Sequence, residues 1–174
     1  MNDLKTCKQK EKQMGTGYNY VCKTCGKEFT AYLGVGFMYP QLYQDVMNSA
    51  REGKLGIKVK QFVIDNPHAA IDPKTVIAKC EKCGNYEAVP DLGMYLPKKG
   101  NSPFIHKGNW TVGDCDNKNE YVFEFDQYDL IDRYDHKCSS CGGRMQVLQD
   151  EEPESLKCPA CGDEMVVRDV IMWD

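Results

Sequence analysis

Four pairs of cysteines, each spaced C-x-x-C and each followed directly by glycine, dominate this 174-residue chain. They are Cys22 and Cys25, Cys80 and Cys83, Cys138 and Cys141, and Cys158 and Cys161. Two thiolates at this spacing can hold one metal ion from a tight turn, because the glycine relieves the turn and backbone N–H groups point at the sulfurs. Two such pairs complete a tetrahedral four-cysteine site. The sequence therefore predicts two structural Zn2+ ions bound by these eight cysteines.

Other uses of paired cysteines fit this sequence less well. A disulfide framework belongs to secreted proteins, whereas residues 1–13 are polar and lysine-rich and hold no apolar core for a secretory signal. A redox C-x-x-C motif needs a thioredoxin-like βαβ setting, which none of the four pairs has. Four thiolates also bind iron, so a rubredoxin-like iron electron carrier is an alternative prediction. We expect zinc and a cytoplasmic location.

The four cysteine pairs can be joined into two sites in three ways. Cys141 and Cys158 are separated by 16 residues, within the range of zinc ribbons, which predicts that the last two pairs share one ion. The first two pairs are then left to each other, across residues 26–79. Closing this longer loop costs only about 1 kcal/mol more in chain entropy than closing a loop of 16 residues. The apparent binding free energy of a structural zinc, on the order of 10–16 kcal/mol, is much larger. Spacing thus predicts one site from the first two pairs and one from the last two.

The segments between the cysteine pairs predict a small, zinc-stabilised α+β protein. Two helices are expected over residues 40–52 and 56–66, where apolar side chains recur at helical spacing, with Ile57, Phe62 and Ile64 partly buried. Strands are expected over residues 74–80, around Trp110, and over residues 120–126 and 164–174, and a short helix over residues 127–136. The predicted architecture is two β-rich zinc ribbons, the first with an inserted helical hairpin.

This architecture implies a division of the chain into four parts. Residues 1–13 are predicted to be a disordered basic N-terminal extension, and residues 14–97 a zinc ribbon with the helical insertion. Residues 98–120 are predicted to be a connector rich in glycine, asparagine, lysine and aspartate. Residues 121–174 are predicted to be the C-terminal zinc ribbon with a preceding strand and helix.

Two stretches carry a resemblance to a known family. The stretch HKCSSCGGRMQVLQDEEPESLKCPACGDEMVV resembles the zinc-ribbon, rubredoxin-like superfamily, and YVCKTCGKEF resembles the first knuckle of that superfamily. The whole chain also looks like a bacterial group of proteins with two four-cysteine zinc ribbons. The resemblance implies metal at the eight cysteines named above, and it implies no reaction.

Charge is distributed unevenly along the chain. Residues 1–60 carry a net charge of +5 and residues 111–174 a net charge of −10, within a total of −4. The N-terminal basic residues offer a footprint for nucleic-acid phosphates, which the acidic C-terminal part opposes. These basic residues are Lys23, Lys27, Arg51, Lys54, Lys58 and Lys60. Nucleic acid is therefore one candidate partner, and another protein is the favoured one.

The predicted function is that of a zinc-binding, non-catalytic binding or adaptor protein. A site of four thiolates leaves no coordination position for a catalytic water, and the sequence holds no recognisable catalytic constellation, so we expect no enzymatic activity. The alternative is a nucleic-acid-binding accessory or transcription-related factor that acts through the basic N-terminal unit.

Overall fold

The structure is a computed structural model that describes residues 15–35, 39–99, 128–149 and 152–173. Within these residues the chain forms ten short strands and two helices. The strands are β1 Gly15–Cys22, β2 Glu28–Leu33, β3 Ala70–Ile71, β4 Thr75–Cys80, β5 Tyr86–Pro90, β6 Met94–Pro97, β7 Tyr128–Asp132, β8 Met145–Val147, β9 Ser155–Lys157 and β10 Glu164–Trp173. The helices are α1 Tyr39–Glu52 and α2 Ile57–Asp65. The protein is thus a small, β-rich α+β structure.

The strands form three antiparallel sheets. The terminal sheet has the order β2-β1-β10-β9, the middle sheet β5-β4-β8, and the helix-side sheet β3-β6-β7. β1 pairs with β10 from Gly15 opposite Trp173 to Cys22 opposite Met165. Strands from residues 14–97 and from residues 121–174 therefore share sheets, whereas the sequence predicted two ribbons in succession.

The two predicted helices are present and pack against the helix-side sheet. α1 buries Tyr43, Met47 and Ala50, and α2 buries Val59 and Val63. Because Val59 and Val63 stand one turn apart on the same face, the other side of α2 meets solvent. In the described part of the chain, neither helix is long and apolar enough to cross a membrane.

The expected burial of α2 was wrong at two positions. Ile57 is 78% exposed and Ile64 is 55% exposed, because both lie off the face that Val59 and Val63 bury. Phe62 is half-buried, as expected.

The helix predicted over residues 127–136 is also wrong. Residues 128–132 form β7, which pairs with β6 so that Leu130 lies opposite Tyr95. Strand pairing depends on the neighbouring strand more than on local propensity, and the sequence of this segment does not reveal its neighbour. The strands predicted around Trp110 and over residues 120–126 lie outside the described residues.

Buried side chains form three clusters. The helix core consists of Tyr43, Met47, Ala50, Val59, Val63, Ala70, Ile71, Leu92, Met94 and Tyr95. The terminal core consists of Tyr20, Cys22, Ala31, Leu33, Ile77, Leu156, Cys158 and Met165. A small third cluster consists of Ala78, Cys80, Cys138 and Met145. Cysteines belong to two of the three clusters, so any metal they bind stands next to the buried core.

Two buried carboxylates lie where the turns flanking β3 and β6 meet. Asp91 accepts a hydrogen bond from the Gly93 N–H at 2.9 Å and another from the Arg133 guanidinium. Asp72 accepts one from the Lys74 N–H at 3.0 Å and lies 3.4 Å from the Lys74 ammonium. Burial raises the pKa of Asp72 to about 6, and Lys74 opposes that shift only in part.

Replacing Asp72 tests how much its buried carboxylate lowers the stability of the fold. Asp72→Asn is expected to raise the free energy of unfolding at pH 7 by about 1 kcal/mol, because folding moves the ionised carboxylate into a site that disfavours its charge. The folded-state pKa of about 6 exceeds the unfolded value of about 3.9. The folded wild type therefore binds more protons and gains about 1 kcal/mol of stability as the pH falls from 7 to 5.

Denaturant unfolding of wild type and Asp72→Asn across this pH range measures the effect. The difference between the two proteins isolates residue 72, because any pH effect at the cysteines is common to both. The Asp72→Asn variant should lack the gain in stability that the wild type shows as the pH falls from 7 to 5. Parallel pH dependences for the two proteins would contradict a raised pKa at Asp72.

Candidate metal centres

Each cysteine pair lies in a turn of the same backbone geometry, here called a knuckle. In all four, the N–H of the first cysteine donates to the carbonyl five residues later at 2.7–2.9 Å. The N–H of the following glycine donates to the carbonyl of the first cysteine at 2.8–3.0 Å. The glycines Gly26, Gly84, Gly142 and Gly162 have φ between 68° and 81°, a left-handed conformation that glycine adopts without steric cost. The C-x-x-C-G pattern therefore specifies a turn that presents two thiols together.

The four knuckles meet as two groups of four cysteines. The outer site consists of Cys22, Cys25, Cys158 and Cys161, and the inner site of Cys80, Cys83, Cys138 and Cys141. Within each group, the sulfurs lie within 4.8 Å of one another. The structure thus brings together all eight cysteines that the sequence predicted to bind metal.

The sulfur spacing fits one tetrahedral ion in each site. In the outer site, the Cys22 and Cys161 sulfurs are 3.4 Å apart. In the inner site, the Cys80 and Cys141 sulfurs are 3.5 Å apart. Metal–sulfur bonds of about 2.3 Å in a tetrahedron place the sulfurs roughly 3.8 Å apart. A slight outward movement of these sulfurs therefore suffices to accommodate an ion in each site.

The predicted pairing of the knuckles was wrong. The sequence joined the first knuckle to the second and the third to the fourth, whereas the structure joins the first to the fourth and the second to the third. The β1–β10 ladder places Cys22 opposite Met165, beside the fourth knuckle. The β4–β8 ladder places Cys80 opposite Met145, beside the third knuckle. The 16 residues between Cys141 and Cys158 therefore connect the two sites and do not close one of them.

Backbone N–H groups favour the thiolate form of three buried cysteines, Cys22, Cys80 and Cys158, and lower their pKa. In each knuckle the first cysteine is buried and the second is more accessible. The N–H groups of Cys83 and Lys82 lie 3.4 Å from the Cys80 sulfur, and they lower the pKa of Cys80 to about 6 although burial opposes them. Burial likewise raises the pKa of Cys158, but the N–H of Cys161 helps to bring that pKa down to about 6.

Three of the more accessible cysteines, Cys25, Cys83 and Cys161, show the opposite shift, a raised pKa. A backbone N–H bond lowers the pKa of Cys161, but the neighbouring thiolates and burial raise it to about 12. Thiols so close together cannot all ionise without a cation between them. A bound metal would supply that cation and displace the remaining protons, as expected for thiolate ligands.

Polar side chains on and just before β5 hold the third knuckle in place. One carboxylate oxygen of Glu87 accepts hydrogen bonds from both the N–H and the hydroxyl of Ser139, each at 2.8 Å. The Asn85 amide donates to the Ser140 hydroxyl at 3.1 Å. Sequence reasoning missed these contacts, because the partners lie 52 and 55 positions apart in the chain.

The two sites adjoin each other across Tyr86. The Tyr86 hydroxyl accepts a hydrogen bond from the Lys157 N–H at 3.2 Å, and its ring lies 5.9 Å from that of Phe29. A methyl group on Gly84, in the second knuckle, would lie 3.7 Å from the Cβ of Pro159 in the fourth. Inner and outer sites are therefore in contact through residues of both.

The basic residues predicted as a nucleic-acid footprint do not all face solvent as free cations. Lys58 forms an ion pair with Asp132 at 2.7 Å, and Lys54 forms one with Glu52 at 2.6 Å. Lys60 is half-buried, whereas Lys23, Lys27 and Arg51 are exposed. Part of the predicted footprint is thus neutralised by the acidic groups beside it.

Comparisons with protein-family models, curated proteins and solved structures find no match. Two CxxC-containing groups of four cysteines in this geometry fit zinc-ribbon-like sites. In such sites all four ligand positions are filled by protein sulfur, so the arrangement can bind a metal structurally.

Proposed function

We propose that this protein is a zinc-binding, non-catalytic binding or adaptor protein whose fold is held by two structural four-cysteine zinc sites. The observation that carries the proposal is the closure of eight cysteines into two four-sulfur groups. A four-thiolate site contributes folding free energy and offers no position for a catalytic water. The terminal core and the small third cluster hold few buried residues, and a metal bound beside each would add the stability that a small core lacks.

The metal itself is the first point to test. Metal analysis of the protein purified from its native host should give about two zinc ions per chain and a colourless solution, as two closed thiolate sites require. Iron in stoichiometric amount, with strong absorption in the visible range, would instead support the rubredoxin-like electron carrier, because four thiolates also hold iron.

We propose a protein as the binding partner. Ion pairing at Lys54 and Lys58 supports this choice over nucleic acid, since a phosphate would have to displace Glu52 and Asp132. Nucleic-acid affinity should then stay at the non-specific level, with a Kd of roughly 10⁻⁴ to 10⁻⁶ M.

Salt-dependent binding measurements distinguish the two partners. A nucleic-acid factor would lose affinity with a log–log slope of about 0.7 to 0.9 per neutralised phosphate. In that case the triple variant Lys54/Lys58/Lys60→Glu would also no longer bind nucleic acid. The matched control is Lys98/Lys99→Glu, which changes exposed lysines outside the predicted footprint. Tight binding that only the first variant abolishes would overturn the choice of a protein partner.

A further inference from the structure

We propose that the two metal sites are filled in a fixed order, in which the inner site forms first and builds the surface on which the outer site is completed. The inner unit comprises α1, α2 and β3 to β8, within residues 39–99 and 128–149. The outer unit comprises β1, β2, β9 and β10, within residues 15–35 and 152–173. The inference rests on the proposed function, namely that both sites bind a structural metal.

The first argument is the nesting of the sites along the chain. Cys83 and Cys138 of the inner site are 55 positions apart, whereas Cys25 and Cys158 of the outer site are 133 positions apart. The inner loop lies entirely inside the outer one. Once the inner site is closed, the path between the outer knuckles shortens to roughly 70 residues, and loop entropy alone then favours the outer site by roughly twofold to threefold in affinity.

The second argument is that the two units contribute unequally to the hydrophobic cores. Every buried residue of the helix core and of the small third cluster belongs to the inner unit. The terminal core, by contrast, includes Ile77 from β4, and both Tyr86 and Leu148 of the inner unit pack against it. The inner unit therefore forms two buried clusters from its own residues alone, whereas the core of the outer unit is completed by residues of the inner unit.

The third argument is the position of β4, which contributes a cysteine to the inner site and a buried side chain to the terminal core. Cys80 at the end of β4 is an inner-site cysteine, and Ile77 on the same strand is 1% exposed within the terminal core. The Leu148 N–H, just after β8, donates to the Ile77 carbonyl at 2.9 Å. A metal that fixes β4 against β8 therefore also places Ile77 and Leu148 where the outer unit needs them.

Cysteine protection at limiting metal tests the order directly on the full chain. The reduced, metal-free protein is given one equivalent of zinc and treated with N-ethylmaleimide, and the modified cysteines are located by mass spectrometry. The inner-site cysteines Cys80, Cys83, Cys138 and Cys141 should be protected, and the outer-site cysteines Cys22, Cys25, Cys158 and Cys161 should be modified. At two equivalents all eight should be protected.

The outcomes separate this inference from the proposed function. Protection of the outer site first, or equal protection of both sites at one equivalent, would overturn the fixed order and leave two structural metals in place. Failure to protect any of the eight cysteines at two equivalents would overturn the order and the proposed function together.

A matched pair of variants gives an independent test. Cys25→Ser and Cys83→Ser change the second cysteine of a knuckle in the outer and the inner site, and both residues are exposed. Cys25→Ser should retain about one zinc per chain, with β4 amides still protected from hydrogen exchange, because the inner site forms without the outer one. Cys83→Ser should retain almost no zinc, because the outer site loses its support. A Cys83→Ser protein that keeps one zinc and a protected β1 would overturn the inference.

Discussion

Removal of the two proposed zinc ions by a strong chelator is expected to unfold the protein. A structural zinc contributes on the order of 10–16 kcal/mol of apparent binding free energy, which is comparable to the whole stability of a typical domain, about 5–15 kcal/mol. The terminal sheet should be lost, because Cys22 and Cys158 belong to its core. Amide NMR spectra before and after chelation measure the effect, and the dispersed spectrum should return when zinc is restored.

The control for this experiment is the same chelator saturated with zinc beforehand. It should leave the spectrum unchanged, which excludes a direct effect of the chelator on the chain. A metal-free protein that keeps its dispersed spectrum would show that the sheets are stable without metal.

Tyr20→Ala is expected to cost about 3–5 kcal/mol of stability, the usual range for an aromatic side chain lost from a core. Tyr20 is fully buried, and its ring lies 6.1 Å from the rings of both Tyr18 and Phe29. Its hydroxyl donates to the Pro153 carbonyl at 2.8 Å, so the side chain ties β1 to the segment that leads into β9. Denaturant unfolding of the zinc-loaded protein measures the loss.

Two further variants show how much of this loss of stability comes from the hydroxyl of Tyr20 and how much from the burial of its ring. Tyr20→Phe removes only the hydroxyl and its hydrogen bonding and should cost about 1 kcal/mol. Tyr32→Ala removes a tyrosine of the same sheet that is 50% exposed, and it should cost clearly less than Tyr20→Ala. Equal losses for Tyr20→Ala and Tyr32→Ala would contradict the central place of Tyr20 in the terminal core.

The features that the sequence predicted correctly are local ones. The C-x-x-C-G pattern specifies each knuckle within a few residues. A glycine in the left-handed conformation and two backbone hydrogen bonds complete the turn. The two helices follow from apolar residues at helical spacing, although the buried face of the second carries Val59 and Val63 and neither Ile57 nor Ile64. Neither prediction needs information about distant parts of the chain.

The features that the sequence did not predict depend on distant partners. A spacing of 16 residues between Cys141 and Cys158 fits a ribbon loop, and loop entropy distinguishes only weakly between the three pairings. What decides the pairing is the ladder between β1 and β10, whose residues lie at opposite ends of the described chain. The same holds for β7, which is a strand because β6 lies beside it.

The pairing of the knuckles is tested most directly by substituting cadmium-113 for the metal and recording its NMR correlations with cysteine β-protons. Cadmium takes the same thiolate ligands, and each ion identifies its own ligands through the bonds to sulfur. One cadmium resonance should correlate with Cys22, Cys25, Cys158 and Cys161, and a second with Cys80, Cys83, Cys138 and Cys141. A single cadmium ion correlated with both Cys22 and Cys80 would contradict the nested sites.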